Sequence, residues 1–125
     1  MRVLTDTHTL VWALSDPAAL GVDARAALAS SPFTASVANL WELILKARKP
    51  GALVADPLPW WERYVIGSRI PTLAIRTAHI VRMAALPELH RDPFDRILVA
   101  QALAEKLTLV TKDAILARYG APVVW

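Results

Sequence analysis

The chain has 125 residues, 55% of them hydrophobic and 20% charged, which suits one domain with its own core and is too short for two ordinary ones. It contains no cysteine, so disulfide scaffolds, thiolate metal sites and cysteine nucleophiles are excluded, and a cytoplasmic protein is expected. The 14 basic and 11 acidic residues leave a net charge of +3, which permits a polyanionic partner without identifying one.

No membrane association is expected either. The longest charge-free run, Ala26 to Trp41, contains Ser30, Ser31, Pro32, Ser36 and Asn39, too polar a stretch to span a bilayer. The first residues, Met1-Arg2-Val3-Leu4-Thr5-Asp6, lack the long apolar segment of a secretory leader.

In chain order, Arg2 to Thr5 reads as a short strand that turns at Asp6 into a helix carrying Leu10, Val11 and Leu14. Asp16-Pro17 ends that helix. A second helix is expected over Val22 to Ala29 and a short buried strand at Phe33-Thr34-Ala35. Ser36 then suits an N-cap. The helix it starts places Val37, Leu40, Trp41, Ile44 and Leu45 at spacings i, i+3, i+4, i+7 and i+8, which predicts a buried apolar face. Glu42 falls at the edge of that face.

Asp56-Pro57 opens a helix through Trp60, Trp61 and Tyr64 to about Gly67, followed by a strand near Thr72 to Ile75 and a helix from Thr77 to Leu86. In His90-Arg91-Asp92-Pro93-Phe94-Asp95-Arg96, Asp92 suits an N-cap and Pro93 the first helical position, starting a helix that runs to Lys106. Leu107 to Thr111 is a β-prone stretch, a short helix ends at Tyr119, and Pro122 to Trp125 makes a last strand. Strands separated by helices require crossovers, hence a mainly parallel sheet covered on both faces. One domain spanning residues 1–125 is expected, an α/β/α three-layer sandwich on a central five-stranded sheet.

In such a sheet, ligands bind beyond the carboxyl ends of the strands, where strand order reverses. Asp6 and Asp113 sit at strand ends, Asp95 in the first turn of a helix, and Glu42 beside a buried face. Each also has a plainer reading: Asp6 and Asp113 as helix caps, Asp95 as a complement to the helix dipole, Glu42 as the i,i+4 partner of Lys46. Those readings do not explain why acids gather at the functional edge of a basic chain. Two carboxylates about 4 Å apart repel by roughly 4 kcal/mol at an effective dielectric near 20, so four that converge call for a hard divalent cation with oxygen ligands.

Leu4-Thr5-Asp6-Thr7-His8, Leu40-Trp41-Glu42-Leu43, the run His90 to Ala102 (His-Arg-Asp-Pro-Phe-Asp-Arg-Ile-Leu-Val-Ala-Gln-Ala) and Leu109-Val110-Thr111-Lys112-Asp113 resemble the four motifs of the PIN domain, and more narrowly the VapC-type toxin ribonucleases of VapBC toxin–antitoxin pairs. The resemblance spans essentially the whole chain. It implies an α/β/α sandwich and a Mg²⁺-dependent endoribonuclease, with Mn²⁺ able to substitute, whose catalytic and metal-binding acids fall on Asp6, Glu42, Asp95 and Asp113. Asp95 rather than Asp92 matches the third acid by the spacing of the helix that follows. The cation would lower the pKa of a water that attacks the RNA phosphorus. A VapB-like antitoxin and a second copy of the chain are the implied protein partners.

Lys46, Arg91, Arg96 and Lys112 flank the acids, and Arg96, fixed beside Asp95, is the preferred candidate for an RNA phosphate contact, with Lys46 second. Thr111 matches a position where a small hydroxyl residue orients a carboxylate or a water. His8, His79 and His90 are scattered and read as buried or loop histidines. Among the tryptophans, Trp41 reads as core, and the adjacent Trp60-Trp61 pair cannot face one way, so one of the two is expected at the surface for a partner. A receiver-type phosphoacceptor and a dehalogenase-like phosphatase fit less well, because Asp6 has no adjacent acid and the chain has Asp6-Thr7-His8 instead of Asp-x-Asp. The alternatives to a toxin are an RNA-processing nuclease of the same family and a non-catalytic PIN-like RNA-binding module.

Overall fold

The computed structural model describes all residues, Met1–Trp125. Five strands, β1 (Val3–Thr5), β2 (Phe33–Ser36), β3 (Thr72–Leu73), β4 (Thr108–Val110) and β5 (Val123–Val124), form one sheet in the order β3-β2-β1-β4-β5. Every adjacent pair is parallel, with Val3 opposite Phe33 on one side and Thr108 on the other. The helices are α1 (Thr7–Ser15), α2 (Val22–Ser30), α3 (Val37–Lys46), α4 (Pro57–Trp60), α5 (Thr77–Ala84) and α6 (Pro93–Glu105). Short 3₁₀ turns cover Pro17–Ala19 and Ala114–Tyr119. The expected three-layer architecture is present.

Strand alternation sorts the core into its two layers. Leu4 and Leu109 pack with Leu98, Val99 and Leu116 under α6, whereas Val3 and Val110 pack on the opposite side with Leu20, Ala24 and Ala27. A third apolar group, Leu10, Val11, Leu43, Trp61 and Val65, joins α1 and α3 to the helical segment after Asp56. That segment changes form at Trp61: Trp61–Ile66 is π-helical, with the Gly67 N–H donating to the Glu62 carbonyl at 3.0 Å. No helix is long and apolar enough to cross a membrane.

The face of α3 expected to be buried is not. Val37, Trp41, Ile44 and Leu45 are exposed, Trp41 by 52% and Leu45 by 56%, while Ala38, Asn39, Glu42 and Leu43 point inward. The reason is polar. Ser36 caps the helix at the Ala38 N–H, and Asn39 returns a bond to the Ser36 N–H and also donates to the Thr7 hydroxyl, which rotates Asn39 and Glu42 toward the sheet edge. Trp41 covers Phe94 edge-on, with ring centroids 5.0 Å apart, instead of entering the core. The Trp60-Trp61 pair also differs from expectation, since Trp61 is buried and Trp60 half-buried against the same cluster.

Candidate active site

The chain leaves β1 toward β2 on one side of the sheet, and β4 pairs with the other side of β1, so the order reverses between β1 and β4. That is where a parallel sheet opens a crevice. Asp6 follows β1, and Thr111, Lys112 and Asp113 follow β4. A cleft of about 380 Å³ opens there, and Asp6, Glu42, Asp95 and Asp113 all line it. Asp92 and Lys46 also line it.

The plainer readings of these acids hold together with their convergence. Asp6 caps α1 through the Thr9 N–H at 2.9 Å, and its other oxygen accepts the Thr111 hydroxyl at 2.5 Å. Thr111 in turn accepts the Asp113 N–H at 3.1 Å, so one hydroxyl joins the ends of β1 and β4. Glu42 is buried. One of its oxygens accepts the Thr7 hydroxyl at 2.5 Å, and the other meets the Lys46 ammonium at 2.5 Å. Asp92 caps α6 through the Phe94 and Asp95 N–H groups and lies 3.4 Å from Lys46. Asp113 caps the following 3₁₀ turn through the Ile115 N–H at 3.0 Å.

Asp95 is the exception, since its carboxylate accepts no hydrogen bond and its nearest partner is the His90 Nε2 at 3.4 Å. Burial, and then the negative charges of Asp92, Asp6 and Glu42, push its pKa up to about 7, with His90 the one neighbour that opposes the rise. Burial pulls Lys46 the other way, but its hydrogen bond and charge contact with Glu42, reinforced by Asp92, outweigh this and hold its pKa above the ordinary lysine value. A charged Asp95 thus lacks a cation. The surrounding oxygen donors, with no sulfur among them, suit a hard divalent ion, so the residues fit the group that the motifs imply.

The flanking basic groups divide. Lys46 lines the cleft but is engaged by Glu42 and Asp92. Lys112 lines it and is exposed. Arg96 turns away, and its guanidinium donates to the carbonyls of Pro87, Met83 and Leu86 and to the Tyr119 hydroxyl. The expected phosphate contact is therefore replaced by a tie between α6 and the end of α5. Position i+1 beside Asp95 lies about 100° around the helix and so faces another neighbour.

Three polar residues of the site were not singled out from sequence. Thr7 and Asn39 form the chain that steadies Glu42. His90, read from sequence as a buried or loop histidine, places its Nε2 2.9 Å from Asp113 and 3.4 Å from Asp95. It lies in the loop two residues before the cap of α6, and only folding brings Asp113 to its ring. His79 is buried, as expected, and its Nδ1 accepts the Arg76 N–H.

Comparison with known proteins identifies the family and the fold. The model of the PIN domain family matches residues 3–122. Ribonuclease VapC22 of Mycobacterium tuberculosis is 31% identical over 128 aligned positions, covering 98% of each chain. Among solved structures, VapBC2 of Rickettsia felis bound to a promoter DNA fragment superposes with a TM-score of 0.71 at 17% identity, covering 100% of this chain and 99% of that one. DNA-bound VapBC of Salmonella typhimurium gives 0.71 at 22% identity, with 99% and 97% covered. By sequence match over nearly its whole length and by fold, the chain belongs to the PIN domain family and lies beside the VapC ribonucleases within it.

Proposed function

We propose that this protein is a metal-dependent endoribonuclease, the toxin of a type II toxin–antitoxin pair, which hydrolyses RNA phosphodiester bonds with Mg²⁺ or Mn²⁺ held by Asp6, Glu42, Asp95 and Asp113. The observation that carries this reading is the convergence of Asp6, Glu42, Asp95 and Asp113 on one cleft at the reversal of strand order, where burial, and then the charges of Asp92, Asp6 and Glu42, raise Asp95 to about 7. A divalent cation bound there would supply Lewis-acid stabilisation of the phosphorane charge and an acidified water nucleophile. The chain's own groups supply orientation. Thr111 and the Thr9 N–H fix Asp6, Thr7 fixes Glu42, and Lys46 balances Glu42 and Asp92. Exposed Lys112 at the cleft, and exposed Arg91 next in the chain to Asp92, offer positive charge to the RNA backbone.

The partners proposed are a cognate VapB-like antitoxin and a second copy of this chain. The exposed Val37, Trp41, Ile44 and Leu45 face of α3 supports a protein partner, because a contiguous apolar helix face carrying a tryptophan is costly to leave in water. The decisive experiment is RNA cleavage by the purified protein with Mg²⁺ or Mn²⁺, repeated in excess EDTA and with Asp95→Asn. Cleavage only with the ion and only by the native protein supports the reading. Equal cleavage in chelator, or by the folded variant, refutes it.

A further inference from the structure

His90 stands between two of these carboxylates that the sequence separates. Its Nε2 lies 2.9 Å from Asp113 Oδ2, beyond β4, and 3.4 Å from Asp95 Oδ2, in the first turn of α6. Three such groups with ligand atoms within 4.8 Å of one another could themselves hold a metal ion, His90 supplying a nitrogen. The other side of the ring decides against that. Nδ1 accepts the Asp92 backbone N–H at 3.1 Å, so Nδ1 carries the lone pair. In a neutral imidazole the proton then sits on Nε2, and Nε2 faces the carboxylates as a donor with no lone pair to offer a cation.

We infer that His90 is a positioning residue of the metal site: it is not a ligand, and its Nε2–H holds Asp113 in place beside Asp95 so that the carboxylate set is pre-formed. The inference rests on the proposed metal site. Asp113 needs this brace because its Oδ1 is committed to the Ile115 N–H, and without a second contact on Oδ2 the carboxylate could turn about that single bond. The brace is itself anchored, because the Asp92 side chain caps α6 while the Asp92 N–H fixes the His90 ring, so one turn of chain sets both the helix start and the histidine. Outer partners of metal-binding side chains contribute roughly 10–100-fold to metal affinity.

The test combines three measurements on the full chain. Ring ¹⁵N NMR of the metal-free protein reports the tautomer directly and does not depend on metal binding. Protonated Nε2 with unprotonated Nδ1 is expected, and the reverse tautomer overturns the inference whatever the fate of the nuclease reading. Mn²⁺ titration by calorimetry should show about a 10–100-fold weaker affinity for His90→Ala. His90→Gln, whose amide nitrogen can reach the Nε2 position, should recover most of the loss, and in an Asp113→Asn background His90→Ala should cost much less, since it acts through that acid. Electron spin-echo spectra of bound Mn²⁺ should show no coupling to a directly coordinated imidazole nitrogen. Such a coupling, unchanged affinity in His90→Ala, or a full additional loss in the Asp113→Asn background would overturn the positioning role. Native protein that binds no Mn²⁺ while keeping the expected tautomer would refute the metal-site reading on which the inference rests, and with it the role toward the ion.

Discussion

Replacing Asp95 by Asn should stabilise the metal-free protein, although it removes a residue proposed to be essential. The carboxyl rises from an ordinary 3.8 to about 7 in the folded chain through burial and the charges of Asp92, Asp6 and Glu42. Between those values the folded state keeps a proton that the unfolded chain has lost. The group therefore destabilises the fold progressively as pH rises through this window, by about 1.4 kcal/mol per pH unit. Over the whole interval this amounts to about 4 kcal/mol, and solvent entering the cleft mouth, where the side chain is 21% exposed, trims it to about 2–4 kcal/mol. Asn is nearly isosteric with the protonated acid and carries no charge. In urea denaturation with EDTA, Asp95→Asn and the native protein should be of similar stability near pH 4. They should diverge through pH 5 to 7, and the variant should lead by about 2–4 kcal/mol at pH 8. Saturating Mg²⁺ should then close the gap from the native side, by about 2.7 kcal/mol at a hundred times the dissociation constant, and leave the variant unmoved. Equal pH profiles in EDTA, or equal stabilisation of both proteins by Mg²⁺, would show that Asp95 is not a charge awaiting a cation.

Thr111→Val removes the hydroxyl that joins Asp6 to the Asp113 backbone. A loss of about 1–3 kcal/mol in stability is expected by denaturation, together with at least a tenfold fall in RNA cleavage. Arg96→Ala should lower stability by about 2 kcal/mol through three lost carbonyl contacts, yet leave the KM for RNA unchanged; a raised KM with native stability would restore Arg96 as a substrate contact. Leu45→Glu on the exposed face of α3 should cost less than about 0.5 kcal/mol in the isolated chain, as for ordinary surface changes. It should nevertheless shift light scattering toward the monomer or abolish co-purification with the proposed antitoxin, and an effect on neither would leave that face without its proposed role.

Sequence alone determined the alternation of strands and helices, and with it the parallel sheet. Short β-prone runs, proline and acid caps, and helical periodicity act locally, so they were legible at Asp6, Ser36 and Asp92-Pro93. The acids could be named for the same reason: each sits at a strand end or a helix start, positions that local rules locate. The orientation of α3 was decided by tertiary structure. Periodicity marks an apolar face without saying whether the chain's own core or another molecule covers it, and the bonds from Asn39 to Thr7 and from Thr7 to Glu42 turned that face outward. Arg96 and His90 were decided in the same way, because the direction of a side chain depends on groups brought near only by folding: carbonyls at the end of α5 for the arginine, and Asp113 beyond β4 for the histidine. The elevation of Asp95 exists nowhere in the sequence. It arises when acids far apart in the chain share one cleft, where burial and mutual repulsion both favour the proton or a cation.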